Sequence, residues 1–152
     1  MIKEILVYPE DKEILTSKSE EVIEINNEIN DLIQDLTDTL NNTETGCGIS
    51  AVQIGVLKKV CIIKPDSKTC FAMINPKIIK TQGVCLFKEG CLSAPKKQKT
   101  VQRAKKITVE YYDAKGDKHT ITRGGLTAII IQHELDHFEG WCEVFDGEET
   151  EE

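Results

Sequence analysis

Residues 126–139 read LTAIIIQHELDHFE, and Gly140 follows. Apolar residues dominate the stretch, no proline interrupts it, and the glycine stands where a helix would stop. A helix over 126–139 is predicted. His133 and His137 stand four apart in it, so both imidazoles leave one face, and Glu134 lies one position round, on the flank of that face. Two nitrogens at this spacing can hold a divalent metal while the carboxylate reaches a water beside it. A surface helix that happens to carry two histidines would have the same letters. Against that, the chain has three histidines in all, and two fall in this one HExxH on an otherwise apolar segment.

The residues before this helix set the fold class. Residues 19–41 place Val22, Ile25, Ile29, Leu32, Ile33, Leu36 and Leu40 at helical spacing, with Ser19 as N-cap, which predicts an amphipathic N-terminal helix. Residues 44–55, ETGCGISAVQIG, are too glycine-rich for a regular element. Short β-favouring runs follow at 60–63, 71–74, 78–81, 84–87 and 101–103. The alternating ITVEYYD of 107–113 then turns at Asp113–Asp117 into 118–122. The order is helix, strands, helix, without βαβ alternation or repeats. An α+β fold is expected, with antiparallel β-sheets packed around a central C-terminal helix.

At 152 residues the chain suits one domain, long enough to bury roughly two-thirds of its unfolded surface. The net charge is −7, of which −5 falls in the last seven residues. We therefore expect a single domain over 1–145 and an acidic, solvated, disordered tail over 146–152. No clustered basic charge suggests a nucleic-acid groove. No apolar run reaches the roughly 18 residues of a membrane span, and the start lacks the marks of a secretory or transit peptide, so a cytoplasmic location is expected; a monomer is expected as well. The six cysteines (47, 61, 70, 85, 91 and 142) read as reduced thiols, at least four of them small buried hydrophobes.

A metal held by two histidines needs a third protein ligand, and the residues offer two. HELDHFEGWCE matches HExxHxxGxx followed by an acid, which would make Glu143 the ligand of a metzincin-like endopeptidase. The other is Cys91 in KEGCLSAP, whose glycine neighbour lets backbone approach a metal and whose thiolate is a soft, strong donor.

EGCLS at 89–93, QHELDH at 132–137 and GCGISAVQIG at 46–55 together resemble the three motifs of peptide deformylases, in order and spacing. VYP at 7–9, INP at 74–76, Val101-x-Arg103 and Gly125 agree, so the resemblance spans nearly the whole chain. It implies removal of the formyl group from N-formylmethionyl peptides of nascent chains. It implies one metal per chain on Cys91, His133 and His137, iron(II) in many members, with zinc, nickel or cobalt as substitutes. Glu134 would be general base and acid, and Gln53 with the Leu92 N–H would hold the oxyanion. Gly48, Glu89 and Gln132 would support the site, with Gly46 and Gly90 beside the substrate. Cys47, Phe87, Leu126, Ile129 and Ile130 would line the methionine slot.

Several positions depart from the family's pattern. Ser50 replaces an alanine beside the site, and Gln98 stands where many bacterial members carry an arginine near the pocket rim. After the metal helix, Trp141, Cys142 and Glu143 replace the usual apolar stretch. The further C-terminal helix used for ribosome docking is not expected here. A deformylase-like binding protein without activity is a third reading, but such a protein would need neither Glu134 nor Gln53.

Overall fold

The computed structural model describes residues 1–150. The alternation in ITVEYYD becomes a ladder. β6 (Lys106–Tyr112) pairs antiparallel with β7 (Lys118–Gly124), and Ile107, Val109 and Tyr111 turn inward. The Asp113 carboxylate accepts the Lys115 and Asp117 amides and so closes the turn between them. With β1 (Gly48–Ser50), β2 (Val60–Asp66) and β3 (Thr69–Gln82) these strands form a five-stranded antiparallel sheet in the order β1-β2-β3-β6-β7. The runs predicted at 71–74 and 78–81 are one strand. Asn75, at φ 51°, and Pro76 interrupt the apolar pattern at an irregularity in the β3–β6 ladder, and the pairing resumes beyond it.

A second sheet holds β4 (Cys85–Cys91), β5 (Ala94–Arg103) and the two-residue β8 (Glu148–Glu149) in the order β4-β5-β8. Asp146, Glu148 and Glu149 of the acidic end are exposed. Asp146 ends a 3-10 turn that buries Val144 and Phe145, and Glu148 and Glu149 pair with Gln98 and Lys97 on the β5 edge. Lys97 Nζ also bonds the Phe145 carbonyl, so a side-chain bond and the ladder bonds hold the segment down. Residues 151 and 152 of that expected tail lie outside the described residues.

Besides the single turn α1 (Lys12–Leu15), the helices are α2 (Asn27–Asn41) and α3 (Gly125–Phe138). α2 begins at Asn26, whose side chain caps the Ile29 amide, and not at Ser19. Residues 19–25 carry helix-like spacing because this non-helical segment lies along the sheet and buries Ser19, Val22 and part of Ile25, three positions apart. The Glu20 backbone bridges Lys58, and the Val22 amide bonds the Asn75 side chain. Ile29, Leu32, Leu36 and Leu40 of α2 pack on Ile49, Val60, Ile62 and Ile74, each such burial contributing about 1.5–3 kcal/mol. The stretch read as irregular, 44–55, contains β1 and a 3-10 turn over Ala51–Ile54, boxed by Ser50 and Gln53.

α3 packs against β1, β2 and β7. Its Ala128, Ile130, Ile131 and Phe138 enter a core with Cys61, Ile63, Met73, Ile107 and Val109. This is the central helix that the α+β reading expected. Gly140 stops it in the left-handed region at φ 75°, where a side chain would also strike the Thr16 carbonyl. Of the six cysteines only Cys61 and Cys142 are buried; Cys47, Cys85 and Cys91 are half-buried and Cys70 is exposed, all as free thiols. The expectation of four or more buried thiols fails because Cys70 and Cys85 sit on strands with one open face and Cys47 and Cys91 line a cavity.

Candidate metal centre

α3 is apolar toward the large sheet and carries its histidines toward β4, where the backbone turns at Leu92 and Ser93. Cys91 ends β4, and its sulfur lies 3.4 Å from His137 Nε2. Cys91, His133, His137 and Cys142 each offer one donor atom, and these atoms all lie within 4.8 Å of one another. His133 and His137 are 8% and 0% exposed. Glu143, the alternative third ligand, is elsewhere: it accepts bonds from Lys99 Nζ at 2.9 Å and Trp141 Nε1 at 3.2 Å.

The donor chemistry fits a divalent ion. His133 engages Glu89 Oε1 through Nδ1 at 2.9 Å, which leaves its Nε2 for the cluster. Burial pulls the His133 pKa down, but hydrogen bonding to Cys142 and Glu89 and the Glu134 charge outweigh it and hold it at about 10. The hydrogen bond between the two thiols raises the Cys91 pKa and lowers that of Cys142, so the pair shares one proton. Thiol and imidazolium donors give up protons when they bind an ion, so metal binding at this cluster would release protons.

Glu89 is itself fixed. Arg103 Nε and Nη2 grip its two oxygens at 2.7 and 2.8 Å, and Arg103 Nη1 reaches Asp136 on α3 at 2.7 Å. Burial would raise the Glu89 pKa, but the Arg103 and His133 bonds leave it below the usual value. Arg103 thereby ties β5 to β4 and α3 behind the histidines. The Val-x-Arg pattern marked this residue but gave it no partner; its role depends on contacts with residues 14 and 33 positions away.

Glu134 is 4% exposed, and burial lifts its pKa against the pull of His133, His137 and the Ser50 hydroxyl. Ser50 Oγ lies 3.0 Å from both the Glu134 carboxylate and its carbonyl oxygen. Gly48 is required here: a Cβ would stand 2.7 Å from Glu134 Oε2 and 2.8 Å from Ile130 Cγ2. Gln53 accepts the Ser50 amide at 2.9 Å and donates to Ser93 Oγ at 3.0 Å, with Cys91 Sγ at 3.8 Å. Its amide therefore satisfies local backbone and also faces the cluster. Gln132 clasps both backbone groups of Ala104.

A cavity of about 530 Å³ opens above these groups. Gln53, Glu89, Cys91, Leu92, His133 and Glu134 form its polar floor; Cys47, Phe87, Leu126, Ile129 and Ile130 supply apolar wall, and Gly46, Gly48 and Gly90 complete it. His137, fully buried, supports the cluster from behind. Gln98 and Thr150 stand at the rim and Thr45, Ala94, Pro95 and Lys97 add wall that sequence reasoning did not assign.

A carboxylate beside a buried His and Cys donor cluster, at the floor of a part-apolar cavity in an antiparallel α+β fold, defines a metal-dependent hydrolase type of site. The profile of the polypeptide deformylase family matches residues 2–146, and the chain belongs to that family. It is 40% identical over 128 residues to peptide deformylase 2 of Clostridium acetobutylicum, covering 84% of this chain and 85% of that one. It is 38% identical to the peptide deformylase of Aquifex aeolicus, over 92% and 84% of the two chains. Among solved structures, the Legionella pneumophila peptide deformylase aligns with TM-score 0.87 at 36% identity, over 93% of this chain and 83% of that one. The Synechococcus elongatus enzyme in complex with actinonin gives 0.88 at 29% identity, over 98% and 80%.

Proposed function

We propose a division of labour for this chain, which is a peptide deformylase, a metal-dependent hydrolase that removes the formyl group from N-formylmethionyl peptides. The observation that carries it is the convergence of Cys91, His133 and His137 donors beside the Glu134 carboxylate at the cavity floor. These three residues would hold one divalent ion, iron(II), with zinc, nickel or cobalt as substitutes. When bound, the ion supplies the nucleophile by lowering the pKa of water toward about 7.

Glu134 takes the proton from the attacking water and returns it to the departing amine. Its raised pKa suits that exchange, because a carboxyl that holds a proton more tightly passes it on nearer neutral pH. The Gln53 Nε2 and the Leu92 N–H stabilise the developing oxyanion, and one such donor is worth roughly 3–4 kcal/mol in the transition state. The methionine side chain fills the wall of Cys47, Phe87, Leu126, Ile129 and Ile130. The substrates are formylated nascent peptides, met in the cytoplasm by a monomer. No helix among the described residues is long and apolar enough to cross a membrane. Deformylation of formyl-Met-Ala-Ser by anaerobically purified protein, with metal analysis on the same sample, tests the proposal. Absence of turnover at full metal occupancy would refute it.

A further inference from the structure

The segment that follows the last 3-10 turn is built into the mouth of the cavity. Glu148 and Glu149 pair with Gln98 and Lys97 on β5, and the Thr150 amide bonds the Lys96 carbonyl at 2.7 Å. Gly147 permits this close approach: a Cβ there would stand 2.5 Å from the Gln98 carbonyl oxygen and 2.9 Å from that of Val144. The ladder is short and adds little stability, yet it carries Thr150 to the cavity wall, which Gln98 also lines. Gln98 and Thr150 border a second cavity as well, of about 480 Å³, whose wall includes Lys88, Thr100 and Glu148. The two concavities thus adjoin at this pair of residues.

We propose that the segment Gly147–Thr150 is a substrate-binding element: Thr150 and Gln98 form a neutral sill over which the peptide, beyond its second residue, passes from the first cavity into the second. The proposal rests on the deformylase reading for the placement of the first residue at the cavity floor. From there an extended chain advances about 3.3 Å per residue, so the third residue and those after it meet the rim. The Gln98 amide and the Thr150 hydroxyl each have a donor and an acceptor, which suits the N–H and C=O of a main chain. Lys97, the lysine of the cavity wall, is withdrawn from the sill, because its Nζ donates to the Phe145 carbonyl at 3.0 Å and lies 5.5 Å from the Tyr8 ring centroid. Recognition at the sill is therefore of main chain, and it depends on peptide length.

The test compares formyl-Met-Ala with formyl-Met-Ala-Ser-Ala-Ala on the metal-loaded full chain. The longer peptide should have the lower KM, by roughly three- to tenfold, the size of one or two neutral hydrogen bonds, at similar kcat. Gly147→Val drives the segment off Gln98, and Gln98→Ala removes the side-chain amide at an exposed position. Each should abolish most of the length preference by raising the KM of the longer peptide, with kcat and the KM of the shorter one unchanged. The second variant keeps the test decisive if the first does not fold. Equal KM for the two peptides in the wild type, or a length preference that persists in the folded variants, would overturn the proposal. Calorimetric Kd values for both peptides on the Glu134→Gln background repeat the comparison without turnover. A length preference in Kd beside a wild-type protein that turns over neither peptide would support the sill and refute the functional reading.

Discussion

Arg103→Met removes the guanidinium that holds Glu89 and Asp136 and leaves the apolar stem in place. The Glu89 carboxylate is 4% exposed and keeps only His133 as partner. Breaking a buried ion pair by removing one partner costs about 3–5 kcal/mol, mostly because the other charge is left desolvated. The geometry puts this case in that range: two bonds of 2.7 and 2.8 Å to one carboxylate and a third of 2.7 Å to Asp136. For a chain of this length that corresponds to a fall in Tm of roughly 6–20 °C. Urea unfolding and calorimetry of the metal-loaded protein, repeated with chelator, would measure it. If the unpaired charge is the cause, Glu89→Gln added to Arg103→Met should recover about 1 kcal/mol or more, since the amide needs no counter-ion. A loss below about 1 kcal/mol, the size of an exposed pair, would refute the reasoning, as would a double variant less stable than the single.

Ser50→Ala should cost about 1–2 kcal/mol by deleting a buried hydrogen bond to Glu134. Turnover should fall by less than about tenfold, because Gly48 and Ile130 still confine the carboxylate; denaturant unfolding and steady-state kinetics check both. Ending the chain at Gly147 removes β8, whose ladder is two residue pairs, and should lower stability by about 1 kcal/mol or less while leaving kcat near the full-length value. A large loss of kcat on that truncation would show that the β5 edge depends on the acidic segment.

What was legible in the sequence was local. His133, Glu134 and His137 share one helix, so spacing alone puts them on neighbouring faces, and the helix ends where Gly140 says it should. Cys91 was legible by its motif; the residues themselves left Glu143 as a rival, and only the fold sends Glu143 to Lys99. The Arg103 bridge and the Ser50 bond to Glu134 join residues from 14 to 84 positions apart, which no periodicity records. Cys142 was hidden because a thiol just beyond the end of a helix reads as small core; the left-handed turn at Gly140 brings it back beside His137. The start of α2 was misplaced because Val22 and Ile25 continue the apolar spacing of a helix while lying along the sheet.

The central claim is that Glu134 moves the proton and the His and Cys cluster holds the metal. Glu134→Gln tests it most directly, with kcat for formyl-Met-Ala-Ser and metal content measured on one preparation. Glutamine keeps the size of the side chain but cannot take the water's proton, so kcat should fall by roughly 10²–10⁴ with one ion per chain retained. A near-normal kcat at full metal occupancy would contradict the account.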